Sequence, residues 1–350
     1  MRILIATTQV PFIRGGAEIL AEGLLGALRT QGYEAEIVAI PFKWYPPERV
    51  LDQMLACRLL DVTESGGTPI DLVIGLKFPA YLMPHPSKVL WLLHQFRTAY
   101  DLWDNPYGDL DHFPNGPQVR DAIHRTDQRL IPESKAVFTI SKNVSSRLWH
   151  YCGIDSTPLY HPPAHAEDFY CASADDYLFY PSRLAPLKRQ VLVLEALAHT
   201  RAPVCVRFAG LADELRYAAE LEALARDLDV DQRVEWLGQV SEAEKRALYA
   251  RALGIIFPPV DEDYGYVTLE AMLASKPLIT CRDSGAPLEF VCAEKTGLIA
   301  DASPEAMADA MDRLWEDQDL ARALGEAGRQ RYDSLAISWR TVVERLVSCA

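Results

Sequence analysis

The chain has 350 residues, with 35 Lys and Arg against 49 Asp and Glu, for a formal net charge of −14 at pH 7. That balance argues against nucleic acid as a partner and against a polybasic membrane anchor. A length beyond the usual limit of one hydrophobic core predicts two domains.

The charge is uneven. The first 165 residues hold 15 basic and 17 acidic side chains, leaving 20 against 32 for the rest. The near-neutral N-terminal half is therefore the part expected to make any peripheral contact with an anionic membrane surface. Seven scattered cysteines without a C-x-x-C pair fit reduced thiols rather than a disulfide frame or a zinc site. The opening MRILIA leads straight into a strand pattern, and no run of about 18 apolar residues is present. A cytoplasmic location, peripheral to the inner face of a membrane at most, is expected.

Strand-like runs are predicted at residues 3–8, 36–40, 72–76, 89–94 and 136–141, with helical patterns at 17–29, 118–129 and 143–149. The HPPAH segment at 161–165 is a stiff break. Beyond it, strands at 177–180, 204–209, 234–237, 254–257, 278–281 and 298–300 alternate with helices near 187–199, 212–228, 241–251 and 266–275. Such alternation signals parallel sheets built from βαβ units. The expected architecture is α/β, with two doubly wound Rossmann-like domains facing across a cleft. The first would cover residues 1–163 and the second 164–335, with a helix at 336–350 returning to the first.

Four charged positions stand out in the second half. Arg183 and Lys188 flank a turn after the strand at 177–180, where two cations suit a diphosphate. Glu262 and Glu270 bracket a Gly265 turn after the strand at 254–257. Glu262 is placed on the loop and Glu270 on the helix that follows. Open amides at Tyr266, Val267 and Thr268 would face an anion at that helix start. Two carboxylates beside an anion site make sense if they hold hydroxyl groups of one ligand, as a phosphate-linked sugar requires.

These motifs, together with Gly15-Gly16-Ala17-Glu18 after the first strand, resemble glycosyltransferase family 4 in kind and order across nearly the whole chain. The resemblance implies the GT-B fold and a retaining hexosyltransferase of polysaccharide biosynthesis or related pathways. It also implies a nucleotide-sugar donor, a glycan, lipid-linked glycan or small-metabolite acceptor, and neither metal nor other cofactor. By position, Glu270 resembles the ribose-binding glutamate and Glu262 the one beside the transferred sugar. Arg183 and Lys188 resemble the pair that neutralises the leaving diphosphate. Val240 resembles the position whose backbone reads the base, with Lys245 nearby. The chain has Asp263-Tyr264-Gly265-Tyr266 where many members carry Gly-Phe-Gly-Leu.

His94 closes an apolar run, and the resemblance places it near the reacting centre, with Glu262, Arg183 and Lys188 as the catalytic set. Gly15 and Gly16 would let backbone approach the donor. Tyr100, Trp103 and Tyr107 lie among carboxylates after His94 and are the expected acceptor contacts, with the segment 42–45 as a second candidate. Two other readings stay open: a nucleotide-sugar 2-epimerase of the same architecture, and a non-catalytic sugar-nucleotide-binding protein.

Overall fold

The computed structural model describes residues 1–350, which divide into two compact units. Unit 1 comprises Met1–Ala164 and Ile337–Ala350, and unit 2 comprises His165–Ala336.

Unit 1 begins with β1 (Arg2–Gln9), α1 (Gly16–Thr30), β2 (Glu34–Pro41) and α2 (Glu48–Leu59). A small hairpin, β3 (Glu64–Ser65) and β4 (Thr68–Pro69), precedes β5 (Leu72–Gly75) and β6 (Lys88–Leu92). Then come α3 (Gly116–Leu130), β7 (Ala136–Thr139), α4 (Lys142–Cys152) and β8 (Thr157–Pro158). The main sheet runs β2-β1-β5-β6-β7-β8, parallel throughout. Helices on both faces explain why β5 and β6 are buried along their whole length, and apolar but for Lys88, instead of alternating.

Unit 2 contains β9 (Leu178–Pro181), α5 (Gln190–His199), β10 (Val206–Ala209), α6 (Leu215–Asp227), β11 (Val234–Gly238) and α7 (Glu242–Arg251). It continues with β12 (Gly254–Ile256), α8 (Tyr266–Leu273), β13 (Leu278–Cys281), the short α9 (Pro287–Phe290) and β14 (Gly297–Ala300). Helices α10 (Pro304–Glu316) and α11 (Gln318–Ser334) close it. Its sheet runs β11-β10-β9-β12-β13-β14, also parallel. The order reverses between β9 and β12, and open α/β sheets bind ligands at the carboxyl ends beside such a reversal. These are the two Rossmann-like domains of the GT-B fold.

Helix α12 (Trp339–Val347) packs against α1 in unit 1. The Trp339 ring meets Trp91 edge-on at 6.2 Å and His161 at 5.6 Å. His161 is fully buried there, and desolvation pushes its imidazole down to about 3. Gly23 on α1 is open for the indole: a Cβ built there would lie 2.4 Å from Trp339.

The sequence reading missed the short α9 and one longer helix, α2. Pro46 and Pro47 precede it and its apolar stripe is short, yet Val50, Met54 and Cys57 face the core at helical spacing. The strand expected at 89–94 ends at Leu92, so His94 lies on the loop.

Candidate active site

The two strands at the unit 2 reversal deliver the charged residues. Beyond β9, the loop at 182–189 carries Arg183 and Lys188 and is tied down by neighbours. Gln190, fully buried, donates from Nε2 to the Arg183 carbonyl at 2.8 Å, and Leu184 N–H donates to the Leu211 carbonyl at 2.9 Å. The Tyr180 hydroxyl donates to the Lys188 carbonyl. Arg189 ends the turn at φ +58°, which starts α5 at Gln190, later than the expected 187.

Beyond β12, Glu262 is fixed through its backbone: its N–H donates to the Ser284 carbonyl at 2.9 Å, and its carbonyl accepts from Ala286 at 3.0 Å. The Val260 N–H donates to the Leu187 carbonyl at 2.8 Å, which stitches the two loops together. The side chains meet as well. Lys188 Nζ pairs with Glu262 Oε2 and sits 5.4 Å from the centroid of the Phe257 ring. A half-buried ammonium held by a carboxylate and an aromatic face is a preorganised cation, of the kind that stabilises charge developing on a leaving diphosphate.

Gly265 opens α8 at φ +76°, and a Cβ there would press on Pro287 at 3.1 Å and Phe257 at 3.3 Å. Its left-handed geometry tightens the first turn, so Thr268 N–H donates to the Gly265 carbonyl at 3.0 Å. The expected triplet of open amides is corrected by that bond, because the Thr268 amide is engaged. Thr268 contributes another group: its hydroxyl is fully buried and has no partner in the protein. A buried hydroxyl left unsatisfied costs stability.

Glu270 lies one turn further along α8, 7% exposed. Tyr249 donates its hydroxyl to Oε2 at 2.7 Å, and Lys245 Nζ reaches Oε1 at 3.0 Å. Lys245 also pairs with Glu242 at 2.9 Å. Burial opposes the Lys245 charge, but the two carboxylates outweigh it and its pKa is raised. Val240, half-buried, stands just before α7, where Ser241 and Glu244 form a capping box.

Arg183 is the most exposed of the expected charged residues of unit 2, paired with Asp213 at 2.5 Å. Surface pairs of this kind add little stability, so Arg183 is free to exchange partners. Sequence reasoning missed Arg189, which grips Asp283 through two bonds of 2.7 and 2.5 Å, and Tyr249, one helical turn beyond Lys245. That turn spacing was the available signal for Tyr249. Nothing in the sequence links Arg189 to Asp283.

In unit 1, Gly15 is the extended N-cap of α1, and Glu18 accepts its N–H at 2.8 Å while facing Lys77 at 3.7 Å. His94 is half-buried on the loop after β6. Of the expected acceptor aromatics, Tyr107 is exposed and Trp103 lies under the Arg120 guanidinium at 4.6 Å. Tyr100 is corrected: it is 2% exposed, with its hydroxyl bonded to Asp127 at 2.7 Å, so it presents no face to a ligand. No group of three or more His, Cys, Asp or Glu side chains is gathered to hold a metal ion. All seven cysteines are free, and no helix is long and apolar enough to cross a membrane.

Residues 171–331 match the family model of group 1 glycosyl transferases. The match covers most of unit 2, including Arg183, Lys188, Lys245, Glu262 and Glu270. An alpha-1,3/1,6-mannosyltransferase of Dictyostelium discoideum is 29% identical over 143 residues, covering 39% of this chain and 34% of that protein. A GDP-mannose-dependent alpha-(1-6)-phosphatidylinositol monomannoside mannosyltransferase of Mycobacterium tuberculosis is 36% identical over 169 residues, covering 44% of each chain. The chain thus aligns with well under half the length of these curated relatives. The sucrose-phosphate synthase of Thermosynechococcus elongatus superposes with a TM-score of 0.79 at 17% identity, covering 99% of this chain and 97% of that one. At that identity the likeness establishes the fold alone.

Proposed function

We propose that this chain is a retaining, metal-independent glycosyltransferase of family 4. It moves a hexose-type sugar from a nucleoside diphosphate donor to an acceptor hydroxyl on a glycan, a lipid-linked glycan or a small metabolite. One observation carries the reading: Arg183 and Lys188 on the β9 loop share the β9/β12 reversal with Glu262 and the start of α8. Names of the relatives, mannosyltransferases among them, support the reaction class.

Breaking the anomeric bond leaves negative charge on the diphosphate and positive charge on the sugar ring. Arg183, Lys188 and the α8 start hold the diphosphate and stabilise the first charge. Glu262 accepts hydroxyls of the transferred sugar, and Glu270, held by Tyr249 and Lys245, accepts those of the ribose. Val240 and Lys245 are assigned to the base side of the donor, Gly15 and Gly16 to a close backbone approach, and His94 to the sugar. Retention follows front-face attack, with a leaving phosphate oxygen taking the acceptor's proton.

The deciding experiment screens nucleotide sugars by thermal shift, because a ligand that binds only the folded form raises its apparent stability. Transfer to hydroxyl acceptors is then assayed with and without chelator. Stabilisation by a nucleotide sugar and chelator-insensitive transfer with retained anomeric configuration are expected. No stabilisation by any nucleotide sugar would overturn the proposal, and complete loss of transfer with chelator would overturn its metal-free mechanism. Formation of a second nucleotide sugar without acceptor would mark an epimerase instead.

A further inference from the structure

Helix α3 turns one face to the core of unit 1 at helical spacing: Gly116, Val119, Ile123, Asp127 and Leu130 are its buried residues. That stripe is apolar except at Asp127, whose carboxylate is fully buried. Burial opposes its charge and raises its pKa. Replacing such a buried charge by a well-packed apolar side chain is often neutral or stabilising, so packing alone does not account for Asp127.

Its bonds point to another task. Oδ1 accepts from the Tyr81 hydroxyl at 2.9 Å, and Oδ2 accepts from the Tyr100 hydroxyl at 2.7 Å. The Gln95 amide completes the set, with Nε2 3.5 Å from Asp127 Oδ2 and 3.2 Å from Cys152 Sγ on α4. Gln95 is 6% exposed and directly follows His94. His94 Nδ1 in turn lies 2.5 Å from the Gln95 carbonyl. A carbonyl only accepts, so the ring proton of neutral His94 sits on Nδ1, and Nε2 carries the acceptor lone pair.

The same helix holds the rest of the loop. Arg120 Nε and His124 Nε2 both donate to the Ala99 carbonyl, at 3.0 and 2.7 Å. The His124 ring also stacks on Tyr100, with centroids 4.1 Å apart at 12°. Residues 120, 124 and 127 recur at helical spacing. One side of α3 therefore grips the segment after His94 at Gln95, Ala99 and Tyr100.

We propose that Asp127 is a positioning residue for His94, which it acts on through Gln95. It fixes where the imidazole points and which of its nitrogens carries the proton. The proposal rests on the assignment of His94 to the transferred sugar in the reading above. An ionised carboxylate accepts from all three donors at once. An amide offers a single oxygen and turns N–H donors towards groups that are themselves donating. Gln95 then loses its hold, and the His94 ring is freed to turn.

The test is nitrogen–proton NMR of the histidine rings in the full chain at about pH 8, where an ordinary imidazole is neutral. His94 is assigned by the signals lost in His94→Gln. The unaltered protein should show it as one tautomer, protonated at Nδ1. In Asp127→Asn its two ring-nitrogen signals should converge as the tautomers mix. Turnover should fall about tenfold or more with donor KM little changed, the pattern of a misplaced group rather than of weaker binding. Gln95→Leu breaks the same tie at its other end, carries the same expectation and stands in if Asp127→Asn fails to fold. Gly23→Ala, which disturbs unit 1 at Trp339 instead, should leave the His94 signals in place. The proposal is overturned by mixed tautomers in the unaltered protein, by unchanged His94 signals in the folded variants, or by the same change in Gly23→Ala. Unchanged turnover in Asp127→Asn would also overturn it where His94→Ala lowers turnover. The NMR arm uses no substrate, so the two readings fail separately. Full transfer by His94→Ala would remove His94 from the sugar and leave its tie to Asp127 standing.

Discussion

Tyr249 and Glu270 are bonded at 2.7 Å inside the core of unit 2, one side chain from α7 and the other from α8. Both are buried, so the carboxylate is aimed before any ligand arrives. Tyr249→Phe removes the donor and keeps the ring packed against Phe169 and Phe179. Affinity for a nucleoside diphosphate should fall about tenfold, the scale of one hydrogen bond to a charged group. Calorimetric titration reads this directly, and an unchanged affinity would remove Glu270 from the donor site.

Arg183→Ala and Lys188→Ala should each lower turnover about a hundredfold, the usual effect of deleting one preorganised partner of a developing charge. Lys188→Ala also strips Glu262 of its ion-pair partner, so its loss should be the larger of the two. Single-turnover rates at saturating donor separate this from weaker binding. Near-normal rates in both variants would place the diphosphate elsewhere.

Asp127 in unit 1 is fully buried beneath the Tyr81 and Tyr100 hydroxyls, at 2.9 and 2.7 Å. Desolvation pushes its carboxyl up to about 6, against the lowering effect of those hydrogen bonds. The folded form therefore holds the proton more tightly than the unfolded form. Its contribution to stability is complete below about pH 4 and is lost as pH rises through 6, a span of about 3 kcal/mol. Urea unfolding from pH 4 to 8 should show that decline in the unaltered protein relative to Asp127→Asn, which does not titrate. Parallel pH profiles for the two would contradict the assignment.

Gly23→Ala places a methyl group where Trp339 now lies. Overpacking there should cost about 1–3 kcal/mol and push α12 off α1. A lower melting temperature with a red shift in tryptophan emission is the expected outcome, while an unshifted spectrum would show that the helix adapts in place.

Much of the fold was legible because parallel strands buried on both faces leave short, wholly apolar runs such as LVIG and GII. Helix α2 was hidden by the prolines before it and by its short buried face. At the candidate site, the loop positions of Arg183, Lys188 and Glu262 follow from where strands end, which local sequence reveals. The bond from Tyr249 to Glu270 spans 21 residues and the grip of Arg189 on Asp283 spans 94. Contacts of that kind are made by tertiary packing, and only the one-turn spacing of Lys245 and Tyr249 on α7 left a local trace. Tyr100 misled for a related reason: aromatics interleaved with carboxylates look solvated until Asp127, 27 residues away, is found bonded to the hydroxyl.

Because α12 belongs to the unit that β1 begins, the polypeptide leaves that unit after Ala164 and re-enters it at Ile337. During synthesis, the N-terminal lobe must wait, with Trp91 and His161 lacking their cover, while all 172 residues of the other lobe are made. A ribosome stalled anywhere in that stretch would display an unfinished core, which makes the interval before residue 337 the period of greatest exposure to aggregation and proteolysis.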